Sequence, residues 1–239
     1  MPPLSKALEK RIRQLRQKKY REREQAFVAE GDKLIRQLLQ NGCSLLALFV
    51  VEGSLHPEEV LVEEADLRRI SSLENPSNSL AIFAIPSPIA KYEQLLELYL
   101  EDLQDPGNLG TILRTAAWFG HAAISLSPHC ADPFSSKVVQ ASMGAIGVLH
   151  IRRESLDDLV ARWKSSGRQI GIADMQGKDY RLAKKDERRG IIIGNEGNGL
   201  SKAARETAEQ IWSIPGEQHG MESLNAAVAS AILMAQWAD

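Results

Sequence analysis

Long apolar runs are missing from this chain of 239 residues. No stretch of about 18 consecutive apolar residues occurs, which argues against a membrane-spanning helix. Cysteine is nearly absent too. Cys43 and Cys130 stand far apart without Cys-x-x-Cys spacing, so neither a disulfide framework nor a structural zinc site can be built from them. They are expected to be reduced thiols packed as small apolar groups. Aromatic residues make up only 5% of the chain, so a core must rest on Leu, Ile, Val and Ala. With 44% hydrophobic content the chain can still bury a sizeable core, as one large or two modest domains. No ligand cluster for a metal is visible, and none is expected. The first residues pass from Pro2 and Pro3 into a basic stretch rather than the apolar segment of a secretory leader. A cytoplasmic protein is the expectation.

The formal net charge of -2 conceals an asymmetry. Residues 6–24 hold nine Lys/Arg against three Glu, a local balance of +6, which leaves -8 for the remainder. Such a split suits a basic arm for a polyanion, with Arg11, Arg13, Arg16, Lys18, Lys19, Arg21 and Arg23 as its contacts. A solvated, salt-bridged helix explains the composition equally well.

Residues 4–40 read as helix broken near Gly31, with Leu34, Ile35, Leu38 and Leu39 on one face and Gly42 as the stop. Strands are expected at Leu45–Val51 and Ser79–Ile85, with residues 57–75 mixed in pattern. Pro86 and Pro88 then mark a linker. A small α/β domain is placed over 1–88 and a second domain over 93–239. In the second, apolar runs at 95–100, 122–126, 147–151, 169–173, 191–193 and 210–214 alternate with helical stretches at 110–119, 135–144, 156–165, 202–208 and 224–237. That rhythm predicts a parallel sheet with helices on both faces. Residues 174–189 are polar and expected to be irregular.

Three polar segments sit at strand–helix joints. Gln104-Asp105-Pro106-Gly107-Asn108-Leu109-Gly110, followed by Arg114, lies at the carboxyl edge of the expected sheet, where open α/β folds bind ligands. Gly194-Asn195-Glu196-Gly197-Asn198-Gly199-Leu200-Ser201 follows three isoleucines; its glycines permit close backbone approach, and Ser201 is placed to cap the next helix. Its spacing is neither a GxGxxG fingerprint nor a Walker loop, and its carboxylate suits a ligand bearing hydroxyl, amino or cationic groups. Glu222-Ser223-Leu224-Asn225 opens a final helix rich in small residues, expected to be buried in a domain or dimer interface. Asn225 is expected just inside that helix. Taken singly, each segment is as readily a capped loop or a plain turn as a site.

Taken in order, the segments resemble the motifs of the SpoU (TrmH) family of S-adenosylmethionine-dependent RNA ribose methyltransferases: Asn108-x-Gly110-x-x-x-Arg114, Gly194-x-Glu196-x-x-Gly199-Leu200-Ser201 and Ser223-Leu224-Asn225. Residues 21–40 resemble, more loosely, the small substrate-binding domain that often precedes the catalytic one. The resemblance implies a SPOUT architecture with a C-terminal trefoil knot and a homodimer with its final helix near the interface. It implies cofactor contacts at Gly194, Asn195, Glu196, Gly199, Ile214, Ser223 and Leu224. It further implies that Arg114 acts on the ribose hydroxyl, oriented by Asn108, Glu196, Ser223 and Asn225. The substrate class it implies is structured RNA, ribosomal before transfer. Where many members carry Val-Ser after the last Asn, this chain has Ala226-Ala227. A catalytically inactive RNA-binding dimer of the same fold is the alternative, and a Rossmann-type nucleotide enzyme is a more distant one.

Overall fold

The computed structural model describes residues 4–53, 55–87, 95–121, 123–184, 187–195, 197–217 and 223–238. In chain order the first elements are α1 (Lys6–Gln14), α2 (Lys18–Glu24), β1 (Ala26–Glu30), α3 (Asp32–Gln40), β2 (Leu45–Val50), β3 (Val60–Leu61), α4 (Glu64–Ile70) and β4 (Ser79–Ala84). There follow β5 (Leu96–Leu100), α5 (Pro106–Trp118), β6 (Ala123–Leu126), α6 (Ser136–Ser142), β7 (His150–Arg153) and α7 (Leu156–Ser165). The last are β8 (Gln169–Asp179), β9 (Arg189–Ile193), α8 (Lys202–Thr207), β10 (Gln210–Ser213) and α9 (Ala226–Gln236).

The chain forms two compact units, Met1–Ser87 with Asp132–Val148, and Pro88–Ala131 with Leu149–Asp239. The stretch 132–148 falls within the span 93–239 that the sequence pattern assigns to one domain. In the first unit the sheet order is β1-β4-β2-β3. A helix running unbroken to Gly31 is not what forms. Gln25 turns left-handed at φ 48° and ends α2, and Ala26–Glu30 becomes a strand buried at every position. Its register against β4, Phe27 opposite Phe83, supplies partners on both faces, and this tertiary pairing overrides local helix propensity. Ile12, Leu15, Val28, Phe49, Leu67, Ile70 and Ile82 share one core beneath it. The distant stretch is held by buried Arg21 paired with Asp132 and by Gln140 Nε2 donating to the Glu30 carbonyl at 2.8 Å.

The second unit carries a six-stranded sheet in the order β10-β8-β9-β5-β6-β7, every neighbouring pair parallel. Strands β5, β6 and β9 are buried at all positions, so both sheet faces are covered, as in doubly wound folds. Tyr99, Leu159, Trp163, Ile170, Ile172 and Ile192 pack together. Residues 174–179 are not irregular: they prolong β8, whose far end pairs with β10 beyond a register shift at Ile211/Trp212. Alternation there is hidden because the extension is only half-buried and takes its order from β10. Arg162 of α7 pairs with Glu97 of β5 and, at 2.7 Å, with Glu154, while Arg168 reaches Glu97 at 3.4 Å. Burial opposes ionisation of Glu97, but hydrogen bonds and charge from Arg162, helped by Arg168, hold its carboxyl below the usual range.

Candidate active site at the carboxyl edge of the parallel sheet

From β5 the chain moves through β6 to β7 on one side, then crosses over to β8 and β9 on the other. Strands β5 and β9 therefore flank the topological switch point, the position at which open α/β sheets bind ligands. All three polar segments belong to this second unit, and the first two leave these two strands.

The first segment is not the loop expected from sequence. Proline at the first helical position starts α5 at Pro106, because its missing N–H costs nothing there. Asp105 caps the helix, its Oδ1 accepting from the Asn108 backbone N–H at 2.7 Å. Asn108 thus lies in the first turn. Arg114, exposed on the same helix, follows six residues later, about 9 Å along the axis.

The second segment closes on itself. Asn195 and Gly199 exchange backbone hydrogen bonds at 3.1 and 2.9 Å. A Cβ at Gly194 would stand 2.6 Å from the Gly199 carbonyl, and Gly199 has φ +64°, so both positions require glycine. The Asn195 side chain accepts from the Gly197 and Asn198 backbones and donates to the Asp102 carbonyl at 2.7 Å. Ser201 caps α8 as expected, its Oγ accepting from the Ala204 N–H at 3.0 Å. Glu196 lies outside the described residues.

The third segment meets the first. Asn225 is the cap of α9 rather than a residue inside it: its Oδ1 accepts from the Ala227 and Val228 backbones at 2.9 and 3.3 Å. Its Nδ2 donates to Asn108 Oδ1 at 3.0 Å. Ser223 and Leu224 are exposed beside this pair, and Ile214 is half-buried at the end of β10. Ala226 and Ala227 are buried. Residues 218–222, with Glu222 among them, lie outside the described residues.

Sequence reasoning missed the residues that tie these loops together. Glu101 is buried after β5 and accepts from the Ser201 N–H at 2.8 Å and its hydroxyl at 2.7 Å. Asp102, left-handed at φ 53°, accepts from the Ser127 hydroxyl at 2.6 Å. The available signal was two adjacent carboxylates directly after an apolar strand.

The basic arm also differs from the expectation. Arg21 is buried; besides Asp132 it donates to the Leu15 carbonyl at 2.7 Å, so it anchors the fold and is withdrawn from polyanion contact. Arg13 and Arg16 donate to the Arg69, Ile70 and Ser71 carbonyls at the end of α4. Arg11 pairs with Glu24 at 2.8 Å and holds that carboxyl below its usual range. Lys18, Lys19 and Arg23 are exposed. Among the described residues no group of three or more potential ligands could hold a metal, and no helix is long and apolar enough to cross a membrane.

Residues 95–235 match the SpoU rRNA Methylase family, and residues 9–81 match the MRM3-like substrate binding domain. An uncharacterized tRNA/rRNA methyltransferase of Synechocystis is 34% identical, covering 97% of this chain and 92% of its own. The 23S rRNA (guanosine(2553)-2'-O)-methyltransferase of Bacillus subtilis is 29% identical over 93% of this chain and 92% of its own. The AdoMet-bound rRNA methyltransferase of Sinorhizobium meliloti superposes with a TM-score of 0.86 at 31% identity, covering 99% of this chain and 96% of that one.

Proposed function

Because the chain belongs to the SpoU rRNA Methylase family, we propose that it transfers a methyl group from S-adenosylmethionine to a ribose 2′-hydroxyl of structured RNA. Ribosomal RNA is favoured over transfer RNA, in keeping with the relative of Bacillus subtilis that acts on 23S rRNA. The observation that carries this reading is the Asn225–Asn108 hydrogen bond, which brings the third motif against the first. The Asn195–Asp102 bond draws the second motif to the same strand end.

The residues present suit the cofactor. A side chain at Gly194 has no room against Gly199, so this loop offers backbone rather than side chains. Leu224 leaves 48% of its surface uncovered next to Asn225, an apolar contact for an adenine. Gly194, Asn195, Gly199, Ile214, Ser223 and Leu224, together with Glu196, would hold S-adenosylmethionine. When bound, it supplies a methyl group activated by a sulfonium.

The chain's own task is the hydroxyl. A ribose 2′-hydroxyl is a weak nucleophile at neutral pH, and reaction needs its developing negative charge met and its oxygen aligned. A guanidinium offers five N–H donors and no acceptor, so Arg114 is suited to donating hydrogen bonds and not to taking up a proton. It therefore stabilises an alkoxide-like oxygen rather than removing the proton, with an RNA phosphate assisting. Asn108, Ser223 and Asn225 orient the guanidinium and the ribose, and Glu196 is assigned to the same task because a carboxylate suits a guanidinium.

The same reading makes the protein a cytoplasmic homodimer with the C-terminal trefoil knot of the SPOUT architecture. Trp118 at the end of α5 is 84% exposed and Val228 on α9 is 48% exposed, apolar surface that a second copy would cover. Incubation with methyl-labelled S-adenosylmethionine and total RNA, followed by digestion to nucleosides, tests the proposal. Label in 2′-O-methylnucleosides is expected. Cofactor and RNA binding without transfer would leave the inactive RNA-binding dimer.

A further inference from the structure

The elbow between α1 and α2 encloses an open cleft of about 330 Å³, lined by Lys6, Glu9, Lys10, Arg13, Gln14, Gln17 and Tyr20. That volume lies at the lower end of small-ligand sites, enough for one nucleotide. Three of the lining residues are cationic. The one carboxylate, Glu9, is answered by Arg69 at 3.1 Å, so the cleft presents positive charge. Arg13 is held in place by the Arg69 carbonyl, with Nη2 at 2.9 Å and Nε at 3.1 Å. Tyr20 is half-buried, and its ring already attracts cations: Lys19 Nζ lies 4.9 Å and Arg23 Cζ 4.7 Å from its centre. Gln14 and Gln17 add amides, each able to donate and accept at a base edge.

We propose that this elbow binds one unpaired nucleotide of the RNA substrate, with the base stacked on Tyr20 and the phosphate held by Lys6 and Lys10. The proposal rests on the RNA reading above and adds a contact that neither the three motifs nor the phosphate-only role of the arm contains. Proteins that bind splayed, single-stranded RNA combine a cationic groove with an aromatic platform, and both are here within one helix elbow. A folded duplex would offer phosphates but no base face. An acidic peptide would offer charge without a ring to stack. One of the two cations over Tyr20 yields its place to the base, and on its flexible stem it stays close enough to meet the backbone.

The test uses the full-length protein and a fluorescein-labelled single-stranded oligoribonucleotide of about ten residues, titrated by anisotropy across a salt series. Tyr20→Ala is expected to weaken binding roughly tenfold or more while leaving the slope of log affinity against log salt unchanged, whereas Tyr20→Phe keeps the affinity. Lys6→Gln with Lys10→Gln, both on exposed side chains, is expected to flatten that slope by about 0.7 per lost phosphate contact. Unchanged affinity in Tyr20→Ala, an unchanged slope in the lysine pair, or competition by polyglutamate as strong as by unlabelled RNA would each overturn the site. Should Tyr20→Ala fail to fold, the lysine slopes and the polyglutamate competition still decide. The readout needs neither cofactor nor turnover. A wild-type protein that binds RNA through Tyr20 yet transfers no methyl would sink the enzyme reading and leave this one standing.

Discussion

The side-chain amide of Asn225 divides its two ends between two neighbours, the oxygen capping α9 and the nitrogen donating to Asn108. These roles separate by substitution. Asn225→Asp keeps a capping oxygen, favoured at a helix N-terminus, but loses the donor. It is expected to melt within a few degrees of wild type while methyl transfer falls at least tenfold. Asn225→Ala loses the cap as well and should cost about 1 kcal/mol by thermal denaturation. Full turnover in Asn225→Asp would show that joining the motifs through this bond is unimportant. The chemistry of Asn225 was legible in sequence, but its place was not: the cap depends on an extended backbone at φ -54°, ψ 139° and on a partner 117 positions away. The cysteines read more simply. Burial pushes the Cys43 thiol up to about 11 and raises Cys130 as well, so neither is a thiolate at neutral pH. Thiol reagents are expected to leave the native protein unlabelled and to modify both residues in denaturant; rapid labelling of the native form would contradict the packing.

Elements of the catalytic unit are joined by charge where the sequence shows only an apolar run. The run 95–100 reads as a buried strand, yet Glu97 within it meets Arg162 of α7 and Arg168 just before β8. No local pattern reveals such a pair, because its members lie on different elements. Glu97 has a folded pKa below its ordinary 4.5. The unfolded chain thus takes up the proton first, and the stabilisation is present above about 4.5 and lost as pH falls through the lower folded value. Arg162→Met removes the hydrogen bond and charge that chiefly oppose the effect of burial on Glu97, so its folded pKa rises and this stabilisation shrinks. The variant is expected to be about 3–5 kcal/mol less stable at pH 7, with the gap narrowing as pH falls toward 4, by urea denaturation. A gap that stays constant with pH would remove Glu97 as its source. Conversely, the alternation of apolar runs and helices was enough to announce a parallel sheet. The polar end of β8 escaped because its partner is β10 and its faces are only half-covered.

For the whole molecule, the place of the first polar segment at the carboxyl edge of a parallel sheet follows from the sequence rhythm. The grouping of 132–148 with the first unit does not, since it depends on pairs such as Arg21 with Asp132. Assembly is tested by sedimentation: Trp118→Glu with Val228→Glu is expected to turn a dimer into a monomer and to reduce methyl transfer more than tenfold. A wild-type monomer that is fully active would overturn the homodimer. The most direct measurement is nucleoside analysis of RNA treated with wild type and with Arg114→Ala, alongside cofactor affinity by calorimetry. The expected result is 2′-O-methylation by the wild type and a loss of about 100-fold or more in the variant, with cofactor affinity within a few-fold. Methyl groups on bases, or undiminished ribose methylation by Arg114→Ala, would contradict a guanidinium acting on the sugar oxygen.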